Sequence, residues 1–340
     1  MRKNKLISAG LAATVVMSVL CCGCTKTTET TRKPKDGNDT DIKIDFNYNE
    51  ELPEDETLII TGHRNEAWGH YSYLTFIQSD GSVYVSEESF EGRPQYYNGG
   101  ITTEERVALL KKYTKPLMTI DEADIKEIYH YMLKIDPDAE FEYEDEYACD
   151  AGTGFTYVYV DGKRIQISES GDRTGELNDR NAKKVEKLIR KAFENRPDYN
   201  QAHVYSATDT FLDTFKCTNS EAEYSRKIIT DINDLRRFEQ DTGIDLLSLE
   251  SFEYYGHPEY DSFRDTCIAV EIFDYHVKYE PVKADAFIVS DDYVGFASLE
   301  DPEVDMSINQ APTATYCYVA ILPSYDPDDM ARYDVFLNGN

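Results

Sequence analysis

Two Asp-Gly pairs constrain the fold of this chain more than any other local feature, because each lies between two runs of β-type residues. Ser79-Asp80-Gly81 separates the run 71–78 from the run 82–86, and Asp161-Gly162 separates 155–160 from 163–168. An Asp-Gly pair supplies the positive φ that a tight turn requires. We therefore expect two antiparallel hairpins in the first half of the chain, preceded by a short strand over 57–61.

Three helical patterns accompany these hairpins. Thr103 caps the first, Asp121 opens the second, and Asn178 or Asp179 caps the third, each ahead of apolar residues at helical spacing. Sheets and helices in separate runs of the sequence are typical of α+β domains. We place the first such domain at residues 50–197.

Residues 200–340 contain more β-type runs. One helix begins after Asp231 and ends before Gly243. Six short runs follow it, over 267–273, 277–279, 284–289, 293–298, 304–308 and 315–322. The sequence therefore predicts an α+β protein of two domains, 50–197 and 200–340. Each is an antiparallel sheet with a few covering helices, and the second is a sandwich or open barrel.

The N-terminus has the pattern of an export signal. Basic residues at the start of the chain precede the apolar run 6–20, which is shorter than a typical transmembrane helix. Cys21-Cys22-Gly23-Cys24 follows, where an ordinary signal peptide has a small-residue cleavage site. This segment resembles the lipobox of bacterial lipoproteins, in which one cysteine receives a diacylglycerol thioether and becomes the mature N-terminus.

The lipobox resemblance implies where the chain is located. It implies a signal peptide over 1–23, a lipid on Cys24, and an extracytoplasmic chain anchored to the cell membrane by that lipid. Cys21 stands where the pattern usually has Leu, so Cys22 is the alternative lipidated residue. Residues 24–49 contain almost nothing apolar and are predicted to be a flexible tether.

The charge of the chain excludes one class of partner. With 65 acidic against 35 basic residues the net charge is −30, and such a surface repels nucleic acid. The expected partners are the membrane, through the N-terminal lipid, and an unidentified protein or glycan. The 26 tyrosines suit either packing on half-exposed sheets or contact with a glycan. Carboxylates alternate with aromatic rings over 140–147, as on a solvated strand face or a Ca²⁺ site.

Cysteines outside the lipobox leave the disulfide state open. Cys149, Cys217, Cys267 and Cys317 allow two disulfides in an exported chain, and buried free thiols are the alternative. If one bridge forms, we expect it within the last three, because they share a predicted domain. None of the four has the C-x-x-C spacing of zinc or redox sites.

One local group of residues carries chemistry, the segment 62–70. It holds His63, Glu66, Trp68 and His70 in a predicted loop between strands, where binding residues are often found. His63, Trp68 and His70 are the candidate ligand-contact residues, and a metal there would need a further ligand such as Glu66. The other interpretation is that Trp68 covers a sheet edge and both histidines are ordinary loop residues.

Two broader resemblances follow from the order of elements. The segment 229–231, its helix, Phe263 and the run 268–270 look like the β-rich C-terminal domain of protease-complex regulators, the PrcB-like domain. The first half is similar in plan to uncharacterised exported domains of gut-bacterial lipoproteins, with Asp80-Gly81 and Gly171-Asp172 in matching places. Neither resemblance implies catalytic residues.

The sequence contains no G-x-S-x-G, H-E-x-x-H, P-loop or Rossmann motif, so no catalytic, cofactor or metal residue is predicted. The predicted function is binding, or modulation of a partner, by a non-enzymatic lipoprotein. The alternative is a hydrolase of envelope or polysaccharide substrates whose catalytic carboxylates are dispersed in the sequence. A deep cleft with a carboxylate of raised pKa favours the hydrolase.

Overall fold

A computed structural model describes residues 48, 50–65, 70–90, 101–148, 152–194, 202–206, 210–219, 224–249, 263, 266–276, 281–300, 313–323 and 327–338. All of them lie in one compact unit, Tyr48–Asn340. The predicted signal peptide over 1–23, the lipidation site Cys24 and all but the end of the tether over 24–49 lie outside the described residues, as does Cys149.

The protein is α+β, as predicted. Five helices lie in the described part: α1 Thr103–Tyr113, α2 Glu122–Met132, α3 Arg180–Ala192, α4 Ile232–Thr242 and α5 Pro327–Asn338. The strands are β1 Thr57–Asn65, β2 His70–Gln78, β3 Ser82–Phe90, β4 Met118–Thr119, β5 Phe141–Tyr147, β6 Thr153–Val160, β7 Lys163–Gly171, β8 Arg173–Leu177, β9 Ala202–Ser206, β10 Leu212–Lys216, β11 Arg226–Ile229, β12 Thr266–His276, β13 Ala286–Val289, β14 Val294–Ala297 and β15 Thr313–Pro323.

Capping residues set the starts of three helices. Asp179 and Asp231 each accept hydrogen bonds from two backbone N–H groups at the starts of α3 and α4. The prediction for α1 was wrong by one residue, since Thr102 is the cap. Its hydroxyl accepts from the Glu105 backbone, and the Glu105 carboxylate accepts from the Thr102 N–H, which forms a capping box. Local side-chain hydrogen bonds therefore determine where these helices begin.

Both predicted hairpins are confirmed. β2 pairs with β3 around Asp80-Gly81, and β6 pairs with β7 around Asp161-Gly162. Asp161 and Gly162 have φ values of 50° and 70°, which a two-residue hairpin turn requires at both central positions. These hairpins are joined through β1, which pairs with β2 on one side and with β6 on the other.

A large sheet contains eleven of the described strands. Its order is β14-β13-β9-β3-β2-β1-β6-β7-β8-β5, and β4 pairs with β3 beside this path. β9, β13 and β14 come from after residue 200, and β9 joins the first half by pairing parallel to β3. The sheet therefore continues across the predicted boundary between 197 and 200, and the predicted two-domain arrangement is not confirmed.

Helices cover both faces of the large sheet. On one face, Val107 and Leu110 of α1 pack with residues of the large sheet, among them Phe76 and Val204. On the other face, α2 and α3 pack against β1, β2, β3, β6 and β7 through a core that includes Ile128, Val185 and Val158. α2 and α3 do not extend over β9, β13 and β14, and another layer covers that end of the same face.

That layer is the second sheet, of order β10-β15-β12-β11. One of its faces packs on α4 through Phe238, Val270 and Val319. The other face shares a core with β9, β13, β14 and α5, in which Leu322 and Phe287 are fully buried. The predicted sandwich or open barrel is not confirmed, and the predicted runs 277–279 and 304–308 lie outside the described residues.

The described cysteines are free thiols. Cys217, Cys267 and Cys317 form no disulfide, so the alternative of free thiols is confirmed for these three and the conditional bridge among them does not form. Cys317 belongs to the core between the second sheet and α4, whereas Cys267 belongs to the core on the opposite face of that sheet. Burial raises the pKa of the Cys217 thiol to about 11 and raises that of Cys317 as well.

Candidate functional site

The predicted site segment 62–70 spans the end of β1 and the start of β2. His63 lies on β1, paired with Gly154 of β6 and Tyr73 of β2. Glu66 and Trp68 lie outside the described residues, and His70 begins β2 without a described side chain. Of the three predicted contact residues, only His63 is therefore placed with its side chain.

His63 belongs to a row of polar residues that crosses six strands. Tyr73 on β2 pairs with Glu87 on β3, and Glu87 pairs with His203 on β9. On the other side of His63, Gly154 pairs with Ser170 on β7. We call the side chains of Ser170, His63, Tyr73, Glu87 and His203 the polar row.

The polar row lies on one face of the large sheet. Residues directly opposite each other in adjacent strands point to the same face. Strands are spaced about 4.8 Å apart, so the five steps from Ser170 to His203 span about 24 Å. His63, Tyr73, Glu87 and His203 are half-buried and Ser170 is exposed, so solvent reaches the row.

Two glycines make room for the His63 ring. A Cβ placed on Gly152 would lie 2.8 Å from His63 Cε1, and one on Gly154 would lie 2.5 Å from Ser170 Oγ and 3.8 Å from His63 Cδ2. Real Cβ contacts are not shorter than about 3 Å, so a side chain at either position would displace its neighbours. Because Gly154 has no side chain, the Ser170 hydroxyl and the His63 imidazole both lie over it.

A second line of hydroxyl groups runs beside the polar row. Thr61 pairs with Thr75 on one side and with Thr156 on the other, and Thr156 pairs with Ser168. These residues precede or follow the polar row by two positions and so share its face. Thr75 is 3% exposed and Thr156 is 9% exposed. The surface is thus polar across two adjacent lines of side chains.

The polar row borders one apolar core at its His203 end and another along one side. His203 pairs with Val289, which is buried in the core between the two sheets, and the rings of His203 and Tyr205 are nearly parallel at 6.1 Å. Toward the other ends of the strands, Ile59 and Ile77 lie in the core under α2 and α3. The row therefore lies between two covered regions of the same sheet face.

The chemistry of the row is that of hydrogen-bond recognition. It offers two imidazoles, a phenol, a hydroxyl and one carboxylate, that of Glu87. No group of three His, Cys, Asp or Glu side chains in the described part of the chain is arranged to hold a metal ion. The described acidic side chains of β5 form no such group either.

A second cluster lies where the chain enters the folded unit. The Glu50 carboxylate contacts His130 Nδ1 on α2, and Lys134 Nζ lies 2.5 Å from His130 Nε2. The Tyr48 ring packs 4.7 Å from the His130 ring and 6.4 Å from that of Tyr131. The hydrogen bond with His130 lowers the pKa of Glu50. This cluster holds residues 48 and 50 against α2.

Two carboxyl groups with raised pKa lie away from the polar row. Burial raises the pKa of Glu186 on α3 and that of Glu239 on α4. Glu239 accepts a hydrogen bond from the Leu247 backbone at 2.8 Å, which gives it a structural partner. A hydrolase would be indicated by a carboxyl group of raised pKa in a cleft. Neither Glu186 nor Glu239 lies at the polar row.

Part of the row has a signal in the sequence, namely the turn of the first hairpin. The length of a turn fixes the register of its hairpin, and the three-residue turn Ser79-Asp80-Gly81 places Tyr73 opposite Glu87. His203 had no such signal, because β9 joins β3 in parallel from more than 100 residues away.

Comparison of the chain with models of protein families, with curated proteins and with solved structures gave no match. Within the described ranges, no helix is both long and apolar enough to cross a membrane.

Proposed function

We propose that this chain is an extracytoplasmic lipoprotein, anchored to the membrane through a lipid on Cys24, that binds a glycan along the polar row without catalysing a reaction. The observation that carries the binding proposal is the alignment of His63, Tyr73, Glu87 and His203 in one register across four strands. The anchoring proposal rests on the lipobox pattern of residues 21–24.

A glycan suits the row because of its repeated hydroxyl groups. Imidazole, phenol, hydroxyl and carboxylate side chains can each donate to or accept from a sugar hydroxyl, and the Tyr73 ring adds apolar contact area. A row about 24 Å long is matched by an extended chain of several sugar units, not by a single one. Glycosidases usually need two carboxylates about 5–9.5 Å apart, and the described row has one, which favours binding over hydrolysis.

The test of glycan binding uses the mature chain from Thr25 on a panel of bacterial and dietary polysaccharides. We expect one class to bind, and His63→Ala and Glu87→Gln each to weaken it at least about tenfold, since hydrogen bonds to charged or buried groups contribute about 1.5–3 kcal/mol. Glu104→Gln on the exposed side of α1 is the matched control and should leave affinity unchanged.

Three outcomes contradict the glycan-binding part of the proposal, and a fourth contradicts the anchor. Equal binding by His63→Ala and Glu87→Gln would place the glycan elsewhere, and no binding across the panel would refute the ligand class. Release of soluble sugars that stops in Glu87→Gln would make the protein an enzyme. For the anchor, loss of membrane retention in Cys22→Ser but not in Cys24→Ser would assign the lipid to Cys22.

A further inference from the structure

Over part of its length, one edge of β7 has no partner among the described strands. β7 pairs with β6 from Lys163 to Gly171, but β8 pairs with its other edge only at Ser168 and Glu169. No other described strand pairs with residues 163–167 on that side. A depression of about 550 Å³ lies there, and we call it the β7 notch. Ligand pockets commonly have volumes of about 300–1,000 Å³.

The backbone of β7 presents hydrogen-bonding groups to the notch. In a two-residue hairpin the pair that flanks the turn, here Val160 and Lys163, exchanges hydrogen bonds, and alternate residues then point outward. By this rule the N–H and C=O groups of Arg164 and Gln166 point away from β6, toward the unpaired edge. The notch therefore offers the hydrogen-bond pattern that an added strand uses.

The walls of the notch are apolar and basic. Phe141, Tyr143, Ile165 and Leu177 line it together with Lys163 and Arg164. No carboxylate is among its lining residues, although the chain has 65 acidic against 35 basic residues. The lining side chains are thus basic or uncharged, and the Glu169 carboxylate beside them accepts hydrogen bonds from Gln166 Nε2 at 2.8 Å and from the Tyr143 hydroxyl at 3.5 Å.

Aromatic rings hold the arginines at this surface in place. The Arg164 guanidinium lies 4.7 Å from the centre of the Tyr157 ring, and that of Arg173 lies 5.0 Å from the centre of the exposed Tyr143 ring. Stacking on a ring leaves the edge of a guanidinium free to donate to a carboxylate. These cations are therefore preorganised for an acidic partner.

We propose that the β7 notch binds an extended peptide segment of a partner protein, in which carboxylate and apolar side chains alternate, by adding it as a strand to residues 163–167. The backbone groups of Arg164 and Gln166 pair with the added strand. Its apolar side chains contact Phe141 and Leu177 on one face of the sheet, and its carboxylates meet Arg164 on the other face. This site does not depend on glycan binding at the polar row.

The test measures binding of a fluorescein-labelled octapeptide of alternating Glu and Val to the full mature chain by fluorescence anisotropy. Arg164→Ala should weaken binding about tenfold, which corresponds to about 1.4 kcal/mol. Gln166→Pro should weaken it similarly, because proline removes an outward N–H that β6 does not use. Arg236→Ala, an exposed arginine on α4, and His63→Ala in the polar row are controls and should bind like the wild type.

Two altered peptides separate strand addition from simple charge attraction. The same peptide with Lys in place of Glu, and the Glu peptide N-methylated at alternate residues, should each bind at least about tenfold more weakly than the original. If the N-methylated peptide binds within twofold of the original, or if Arg164→Ala has no effect, the proposal is wrong. Absence of peptide binding, or displacement of the peptide by a neutral oligosaccharide, would also overturn it. The N-methylated peptide decides the question even if Gln166→Pro does not fold.

Discussion

Replacing Phe287 by Ala tests whether the two halves of the chain fold as one unit. Phe287 is fully buried where the second sheet meets the large one, and its ring centre lies 4.9 Å from that of Phe296 and 5.3 Å from that of Phe336. Loss of a buried phenylalanine ring costs about 3–5 kcal/mol, and the two edge-to-face contacts favour a loss near about 4 kcal/mol.

The assay is urea denaturation followed by two signals. For a urea dependence of about 3 kcal/mol per molar, a loss of about 4 kcal/mol lowers the midpoint by about 1.3 M. Trp68 is the only tryptophan of the chain and precedes residue 197, whereas Phe287 follows it. Because β9, β13 and β14 continue the sheet of the first half, we expect tryptophan fluorescence and far-UV circular dichroism to shift together.

The control and the refuting result are both specific. Leu337→Ala removes a side chain that is 43% exposed on α5 and should change stability by no more than about 0.5 kcal/mol. If the Trp68 midpoint of Phe287→Ala stays at the wild-type value while circular dichroism shows a separate early transition, the halves unfold independently. The argument from the continuous sheet would then fail, and the predicted boundary between 197 and 200 would be a true domain boundary.

Three further predictions concern stability and thiol chemistry. Gly243 and Gly162 both have φ near +70°, but a Cβ on Gly243 meets a hydroxyl oxygen at 2.1 Å and one on Gly162 meets nothing within 4 Å. In urea denaturation, Gly162→Ala should therefore cost about 1–2 kcal/mol and Gly243→Ala about 1 kcal/mol more; equal losses would contradict this. The pKa of Glu50 is lowered by His130, so its contribution is present above its ordinary pKa and lost as pH falls through the lowered value. Glu50→Gln should lower the Tm at about pH 6, and its Tm difference from the wild type should shrink as the pH falls below the ordinary pKa of a glutamate; a difference that grows on acidification would refute the assignment. A Cys149→Ser chain that begins at residue 25 should titrate three thiols with Ellman's reagent in urea and react slowly when folded, whereas a disulfide would leave one.

Features set by neighbouring residues could be predicted from the sequence. Both hairpins follow from turns whose residues require positive φ, and the starts of α3 and α4 follow from Asp179 and Asp231. The short strand β8, Arg173–Leu177, was missed because Gly175 and two charged residues give it no alternating apolar pattern. The membership of β9, β13 and β14 in the large sheet was missed because it depends on contacts between distant segments.

The candidate site likewise combines a residue that the local sequence indicates with neighbours that depend on the pairing of separate strands. His63 was predicted because it lies in a short segment rich in binding residues, and its location on a strand instead of a loop changes which neighbours it has. Those neighbours come from strand register: Tyr73 and Gly154 are fixed by pairing with β1, and Glu87 by the next hairpin. A row of side chains across a sheet leaves no motif in the sequence, because its members are separated by 10 to more than 100 positions.

The position of His203 in the polar row depends on a small junction, and the structure contains a residue that holds it. β9 and β3 pair at only two positions, Ser86 with Ala202 and Glu87 with His203. The buried Arg106 side chain of α1 donates from Nη1 to the Val204 carbonyl at 3.0 Å, so the helix on the opposite face of the sheet restrains the strand next to His203. A charged side chain is costly to bury, and hydrogen bonds to such a group are correspondingly strong. Arg106 therefore links α1 to the parallel pairing of β3 with β9, through which the described strands of the two halves join. This pairing sets His203 beside Glu87 and so places it at the end of the polar row.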